Sequence, residues 1–302
     1  MKDRKEYLLG ILLAIGAGTA YGLDPSFAGM ALDGGCGRLS FVCLRAASSL
    51  PALAVLMLLQ PPEKRSTPTR RELLHILCIA VRLIATYYLV LTAYLRIGTG
   101  LGTALHFTYP MFTVLAGAAL YREPVTRLNM FCVILALAGV ACCNSFNGSG
   151  PDIIGVLAAV ISGIGYALYI TLLGHSGVDR LNPFVLAFWM DLSIAVLSAA
   201  LLLISGSFTL RLGLSTWGCI IASALIVACV GRPLFQLSVQ RIGSERGATL
   251  STTEPVVALL MGVLVRHEAC TPRMLLGVGL ILIAVIAVPA ADLRRGKTED
   301  GQ

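Results

Sequence analysis

Residues 96–126 and 241–271 are two copies of one pattern, displaced by 145 positions without a gap. The first reads RIGTGLGTALHFTYPMFTVLAGAALYREPVT and the second RIGSERGATLSTTEPVVALLMGVLVRHEACT. Eleven of the 31 positions are identical, among them Gly102/Gly247, Thr108/Thr253, Pro110/Pro255 and Glu123/Glu268. Average composition would give roughly 2–3 such matches, so the pattern marks an internal duplication. The same offset carries Tyr21 onto Tyr166 and Gly18 onto Gly163. Any fold for this chain must accommodate one unit twice.

Hydropathy says what the unit is. Apolar segments run at about 7–30, 39–59, 73–95, 99–120, 128–146, 152–174, 183–205, 214–239, 246–265 and 273–290. Each is near the ~20 residues that cross ~30 Å of hydrocarbon. Five fall in each copy, and five is odd. The second copy must therefore enter the bilayer from the opposite side, the inverted-topology repeat common among secondary transporters. The expected fold is an all-α integral membrane protein: ten transmembrane helices, as two inverted five-helix repeats around a central cavity. Residues 1–147 form the first repeat and 148–302 the second. Two soluble domains are excluded, because only 13% of residues are charged where soluble domains carry about 25%. The apolar run at Tyr7–Met30 is too long for a signal peptide and reads as the first span.

Lysine and arginine set the orientation. With a cytoplasmic N-terminus, fifteen basic residues lie in inner segments and five in outer ones. Both termini are therefore expected in the cytoplasm, at the plasma membrane. The net charge of +7 is explained by this asymmetry and does not indicate a nucleic-acid partner; the lipid bilayer is the partner implied. Nine cysteines form no CxxC. Most read as small apolar packing residues, and Cys36 and Cys270 fall in outer loops where a bridge is conceivable. There is no P-loop, no GxSxG and no metal-spaced Cys/His set, and His267–Thr271 fails HExxH at its last position. No catalytic residue, metal or cofactor is expected, so transport would be secondary or facilitated.

Ionisable groups inside spans cost ~2.5–3.5 kcal/mol each and are functional suspects. Asp24, Arg45, Arg82, Asp191, Arg232 and Glu254 are of this kind. At 1.5 Å per residue, depth matches Asp24 with Arg45, Arg82 with Asp191, and Arg232 with Glu254. The last pair is expected either to be a permanent structural pair or, the favoured reading, to open when substrate or a proton reaches Glu254.

The broken helices sharpen the choice. Thr249, Ser251, Thr252, Thr253 and Glu254 precede Pro255, which leaves no apolar face for lipid. Thr103, His106, Pro110 and Thr113 form a polar stripe in the counterpart segment, with Tyr109 beside it. Tyr21 and Asp24 adjoin Pro25. Tyr166 and Tyr169 hold the matching places in the second copy. Arg232, Gln236 and Gln240 share one helix face, and Tyr87 lies at membrane depth. The expected substrate-binding groups are Tyr21, Asp24, Tyr87, His106 and Tyr109 from the first copy, with Tyr166, Tyr169, Arg232, Gln236 and Glu254 from the second. Pro25, Pro110 and Pro255 are the expected helix breaks and gating points. Glu123 and Glu268 read as helix-end caps or surface pairs.

On these residues the chain resembles the EamA-type permeases of the drug/metabolite transporter superfamily. The resemblance rests on the duplication, the fourth segment ending in REPVT (122–126), TEPV (253–256), HEACT (267–271) and Arg45. It implies a ten-helix bundle whose cavity is lined by helices 1, 3, 4, 6, 8 and 9. It also implies export of amino acids, other metabolites or drugs, usually without ATP. Asp24–Pro25 and Arg232–Pro233 depart from the general pattern. The expected function is export of a small polar metabolite such as an amino acid by alternating access. Arg232 would take a carboxylate and Asp24 or Glu254 an amine. Export of cationic aromatic drugs is the rival; a passive channel or a non-transporting sensor belongs to a different class. Proton or ion coupling and oligomeric state stay open.

Overall fold

Helix formation follows the capping chemistry along the chain. The computed structural model describes residues 2–65, 67–121, 127–143, 152–242 and 253–299. REPVT, Glu123, Thr249, Ser251 and Thr252 lie outside the described residues. Among the described residues the regular structure is helical. The first half holds α1 (Lys2–Asp33), α2 (Arg38–Leu58), α3 (Arg70–Ile97), α4 (Thr99–His106), α5 (Tyr109–Tyr121) and α6 (Arg127–Cys143). The second holds α7 (Ile153–Ser176), α8 (Pro183–Ser205), α9 (Leu214–Ala224), α10 (Arg232–Ile242), α11 (Thr253–Arg266) and α12 (Pro272–Glu299). Thr69 and Glu72 close a capping box on α3, Asn182 caps α8 ahead of Pro183, and Asp152 caps α7. Each cap satisfies orphan N–H groups and contributes ~0.5–2 kcal/mol. Left-handed Gly177 and Gly206 end α7 and α8.

Seven helical stretches among the described residues are long and apolar enough to cross a membrane: Lys5–Asp33, Arg38–Leu58, Arg70–Ile97, Thr99–Tyr121, Ile153–Leu173, Pro183–Ser205 and Leu214–Ile242. Large apolar side chains such as Leu59, Leu203, Ile204 and Leu264 are exposed on the outside of the bundle. Such a surface suits lipid and would be costly in water. Lipid provides no hydrophobic drive for helix association, so close contact depends on small residues. On α1 the buried positions include Ala14, Ala17, Ala20, Ala28 and Ala31. Gly22 allows a close backbone approach there, since a Cβ would lie 2.6 Å from the Glu254 carbonyl oxygen of α11.

The main helix contacts are α3 with α7, α2 with α8, α1 with α11 and α10, and α6 with α12. Cys36 is buried and Cys270 exposed, each a free thiol, so the conceivable bridge is absent. Burial pushes the Cys36 thiol up to about 11.

Two helix interruptions position the site. Between α4 and α5 the chain turns at Phe107–Thr108. Pro110, second in α5, has no N–H for the His106 carbonyl four residues back, so the α-helix cannot run through. Between α9 and α10 a π-helical turn spans Leu225–Gly231, and the Arg232 N–H reaches the Val227 carbonyl. Pro233 cannot donate to Cys229, and the extra residue per turn rotates α10 relative to α9.

Candidate functional site

A cavity of about 440 Å³ lies between α1, α2, α3, α7, α8, α10 and α11, with His106 at the end of α4 on its wall. Its polar wall is built from two ion pairs. Arg45 of α2 donates to Asp24 of α1 at 3.2 Å, and the Ser223 hydroxyl donates to the other Asp24 oxygen. Arg232 of α10 donates to Asp191 of α8, whose second oxygen accepts from Ser49 at 2.6 Å. Tyr87 of α3 joins the two pairs. The Arg45 guanidinium lies 4.1 Å from its ring centroid, and Arg232 Nη2 donates to its hydroxyl at 3.4 Å. Burying four charges is tolerable because each has an opposite partner and further hydrogen bonds.

The aromatic wall is continuous. Tyr166 packs against Tyr109, Tyr169 and His106, with ring centroids 4.8, 5.2 and 5.3 Å away. Tyr21 faces Phe235 at 6.5 Å. His106 Nδ1 is 2.8 Å from Ser162 Oγ. Ser162 spends its one hydroxyl proton on the Ala159 carbonyl at 2.6 Å. The histidine therefore donates from Nδ1, and its neutral ring keeps Nε2 as an acceptor.

One end of the cavity reaches Gln240, exposed near the end of α10, and Pro183 at the start of α8. Gln236 on the same face donates to the Leu181 carbonyl at 3.1 Å. The other end is closed by buried Phe41, Val42 and Leu91. Beyond them Arg266 binds Asp33 at 3.0 Å and Glu268 at 3.1 Å. Glu268 also accepts from the Thr99 N–H, the Thr99 hydroxyl and the Gly100 N–H at 2.6, 2.6 and 2.9 Å. It thus caps α4, a helix of the other copy. Gly98, with φ +84°, makes room for the carboxylate, as a Cβ there would sit 2.9 Å from Oε2. Burial opposes ionisation of Glu268, but the bonds from Thr99, Gly100 and Arg266 outweigh it and hold the carboxyl below its ordinary range.

A pocket of this kind at membrane depth, with no metal-ligand cluster among the described residues, fits solute binding. The EamA-like transporter family matches the chain twice, over residues 8–145 and 153–288. The chain belongs to the EamA-like transporter family. Members are transporters, so this is a multi-pass membrane transporter and not an enzyme. An uncharacterized protein of Pseudomonas aeruginosa is 28% identical over 300 residues, 99% of each chain. An uncharacterized transporter of Synechocystis is 28% identical over 195 residues, 63% of this chain and 58% of its own. An uncharacterized transporter of Bacillus subtilis is 31% identical over 174 residues, 55% of this chain and 56% of its own. The match thus spans a little over half the length of these two relatives. A solved crystal structure superposes with TM-score 0.54 at 19% identity, covering 97% of this chain and 98% of its own, a likeness of fold.

Within this EamA-like chain, Tyr21, Asp24, Pro25, Tyr87 and His106 border the cavity from the first half. Tyr166, Tyr169, Arg232, Gln236 and Glu254 border it from the second. Tyr109 does not; it is buried behind Tyr166 and His106. Pro110 and Pro255 lie in the first turns of α5 and α11 rather than on the wall.

Two of the depth-based pairings are corrected. Arg82 does not reach Asp191. It is exposed, and its guanidinium donates to the Cys78 carbonyl at 2.9 Å. Its neighbour Leu83, about 100° round the helix, is the one on the cavity wall. Arg232 does not pair with Glu254, because the π-helical turn delivers it to Asp191 on α8. Glu254 has no ion-pair or hydrogen-bond partner among the described residues. Sequence reasoning left Tyr94, Phe235, Ser49 and Ser223 out of the site. Tyr94 had a signal, seven residues and two turns after Tyr87; the two serines had none.

Proposed function

We propose that this chain is a permease of the plasma membrane that exports a small polar metabolite by alternating access. Its ten spans would form two inverted five-helix repeats, residues 1–147 and 148–302, with both termini in the cytoplasm. Reciprocal packing supports the repeat. Under the 145-residue offset α7 corresponds to α1, and α3 packs on α7 as α9 and α10 pack on α1. Likewise α5 packs on α7 as α11 packs on α1, while α2 with α8 and α6 with α12 pair like with like. The family's double match supports the same division.

The observation that carries the reading is the cavity, whose wall draws charged and aromatic groups from both halves and, among the described residues, runs out to exposed Gln240 at one end of the bundle. In the proposed orientation that end is cytoplasmic. The Arg266 latch with Asp33 and Glu268 would close the outer side and release when the two halves rock. The expected binding set remains Tyr21, Asp24, Tyr87, His106, Tyr166, Tyr169, Arg232, Gln236 and Glu254, with Tyr109 as support. Pro25, Pro110 and Pro255 are the proposed points of bending.

Reconstitution into proteoliposomes tests this. A carrier shows saturable counterflow, in which unlabelled solute inside accelerates entry of labelled solute. Flux without saturation would mean a channel, and absence of flux across a broad panel of metabolites would mean a sensor. Reporter fusions at Gly296 and Gly148 are expected to report inside and outside; the same side for both would end the inverted reading.

A further inference from the structure

The charges of the cavity can be counted. Its cations are Arg45 and Arg232, and each is already held by its own carboxylate, Asp24 or Asp191. Glu254 borders the same space with no partner among the described residues. Counted as ionised, and with Asp191 included as the partner of Arg232, these groups among the described residues are two positive and three negative, which leaves one surplus negative charge for a proton or a cation to offset. Where α11 carries Glu254, it lies against Gly22 of α1, two residues from Asp24. Glu254 thus shares the cavity wall with Asp24, an acid whose charge Arg45 already balances. A lone carboxylate at membrane depth is unfavourable unless something cationic meets it.

The rest of the wall has the same preference. His106 offers Nε2 as an acceptor, because its Nδ1 proton is given to Ser162. Tyr21, Tyr166, Tyr169 and Phe235 line the cavity, and aromatic rings attract cations through their faces. A ligand carboxylate fares worse. The charge of each arginine is already balanced by its own aspartate, so a ligand carboxylate would add to the surplus negative charge of the site. The volume, about 440 Å³, falls within the ~300–1,000 Å³ of small-molecule sites.

Resting on the permease reading, we propose that this cavity selects an organic monocation: an amine with an aromatic or aliphatic body and no free carboxylate, its ammonium paired with Glu254. The amino-acid backbone is then the wrong headgroup for this site. The corresponding decarboxylated amine is the right one.

Tyramine, tyrosine and 4-ethylphenol test the proposal, since they share one ring and differ in ammonium and carboxylate. Binding is measured by calorimetry on the full chain in nanodiscs at neutral pH. Tyramine should bind at least about 10-fold more tightly than either of the others. Glu254→Gln should cost tyramine at least about 10-fold and leave 4-ethylphenol within about twofold. Tyrosine equal to or better than tyramine, no tyramine binding, or tyramine binding indifferent to Glu254→Gln would overturn the proposal. If Glu254→Gln does not fold, the order of the three ligands on the unaltered protein decides alone. Counterflow separates the two readings. Selective tyramine binding without tyramine flux overturns the permease and keeps amine selection. Flux of tyrosine but not tyramine keeps the permease and overturns amine selection.

Discussion

The two ion pairs at the centre of the bundle have the same composition and different surroundings. Asp191 is 3% exposed, held by both Arg232 and Ser49 and walled in by α8 and α2. Asp24 is 18% exposed and borders the cavity, with Arg45 and Ser223 as partners. Arg45 also rests on the Tyr87 ring, so it has a second source of stabilisation if Asp24 is withdrawn. Arg232 has only a 3.4 Å bond to the Tyr87 hydroxyl in reserve. The same chemistry therefore does two jobs. The Asp191 pair fixes α8 against α10 through a carboxylate sealed between helices, while the Asp24 pair holds a carboxylate that borders the cavity.

Substitution can break this comparison. The largest effect is expected from Asp191→Asn. It strands a buried guanidinium, at a cost of ~3–5 kcal/mol, and membrane accumulation should collapse. Adding Arg232→Gln should restore much of it. Normal accumulation of the single variant would mean that the two pairs are equivalent.

Asp24→Asn should cost less, ~1–3 kcal/mol. The new amide oxygen still accepts from Ser223, and Arg45 keeps its ring and cavity water. Detergent melting curves of the two variants side by side check the order, and a larger drop for Asp24→Asn would invert the argument.

The smallest effect belongs to the third cluster, at the closed end. Glu268→Gln removes a carboxylate from the start of α4, worth ~0.3–1 kcal/mol at a helix N-terminus. The carboxyl is held below its ordinary range in the fold. Its contribution is therefore complete above the unfolded glutamate value of 4.5 and is lost as pH falls through the lower folded value. Melting temperature measured from neutral to acid pH should fall less steeply in Glu268→Gln than in the unaltered protein. Parallel curves would show that Glu268 is uncharged or unlinked to folding.

Much of the site is legible in the sequence. A polar or aromatic side chain in a membrane span has few tolerable places, and Tyr21, Asp24, Tyr166, Tyr169 and Glu254 all take the wall of the cavity. Pairing is harder to read. Depth matches Asp24 with Arg45, and they do meet. For Arg82, Asp191, Arg232 and Glu254, depth leaves two variables open: which helices are adjacent and how each is rotated. Glu268 reads from the sequence as a cap or surface pair; that its carboxylate caps a helix of the other copy depends on the packing of α11 against α4.

The amino-acid order alone determined the duplication, the all-helical membrane character, the family and the helix break before Pro110, because hydropathy and the missing proline N–H are local properties. Tertiary structure decided which charge meets which. It set the rotation of α10 after its π-helical turn, seated Arg232 on Asp191, and left Glu254 on the cavity wall with no partner among the described residues. Electrostatic partnership depends on distances between helices, and those arise only when the helices pack.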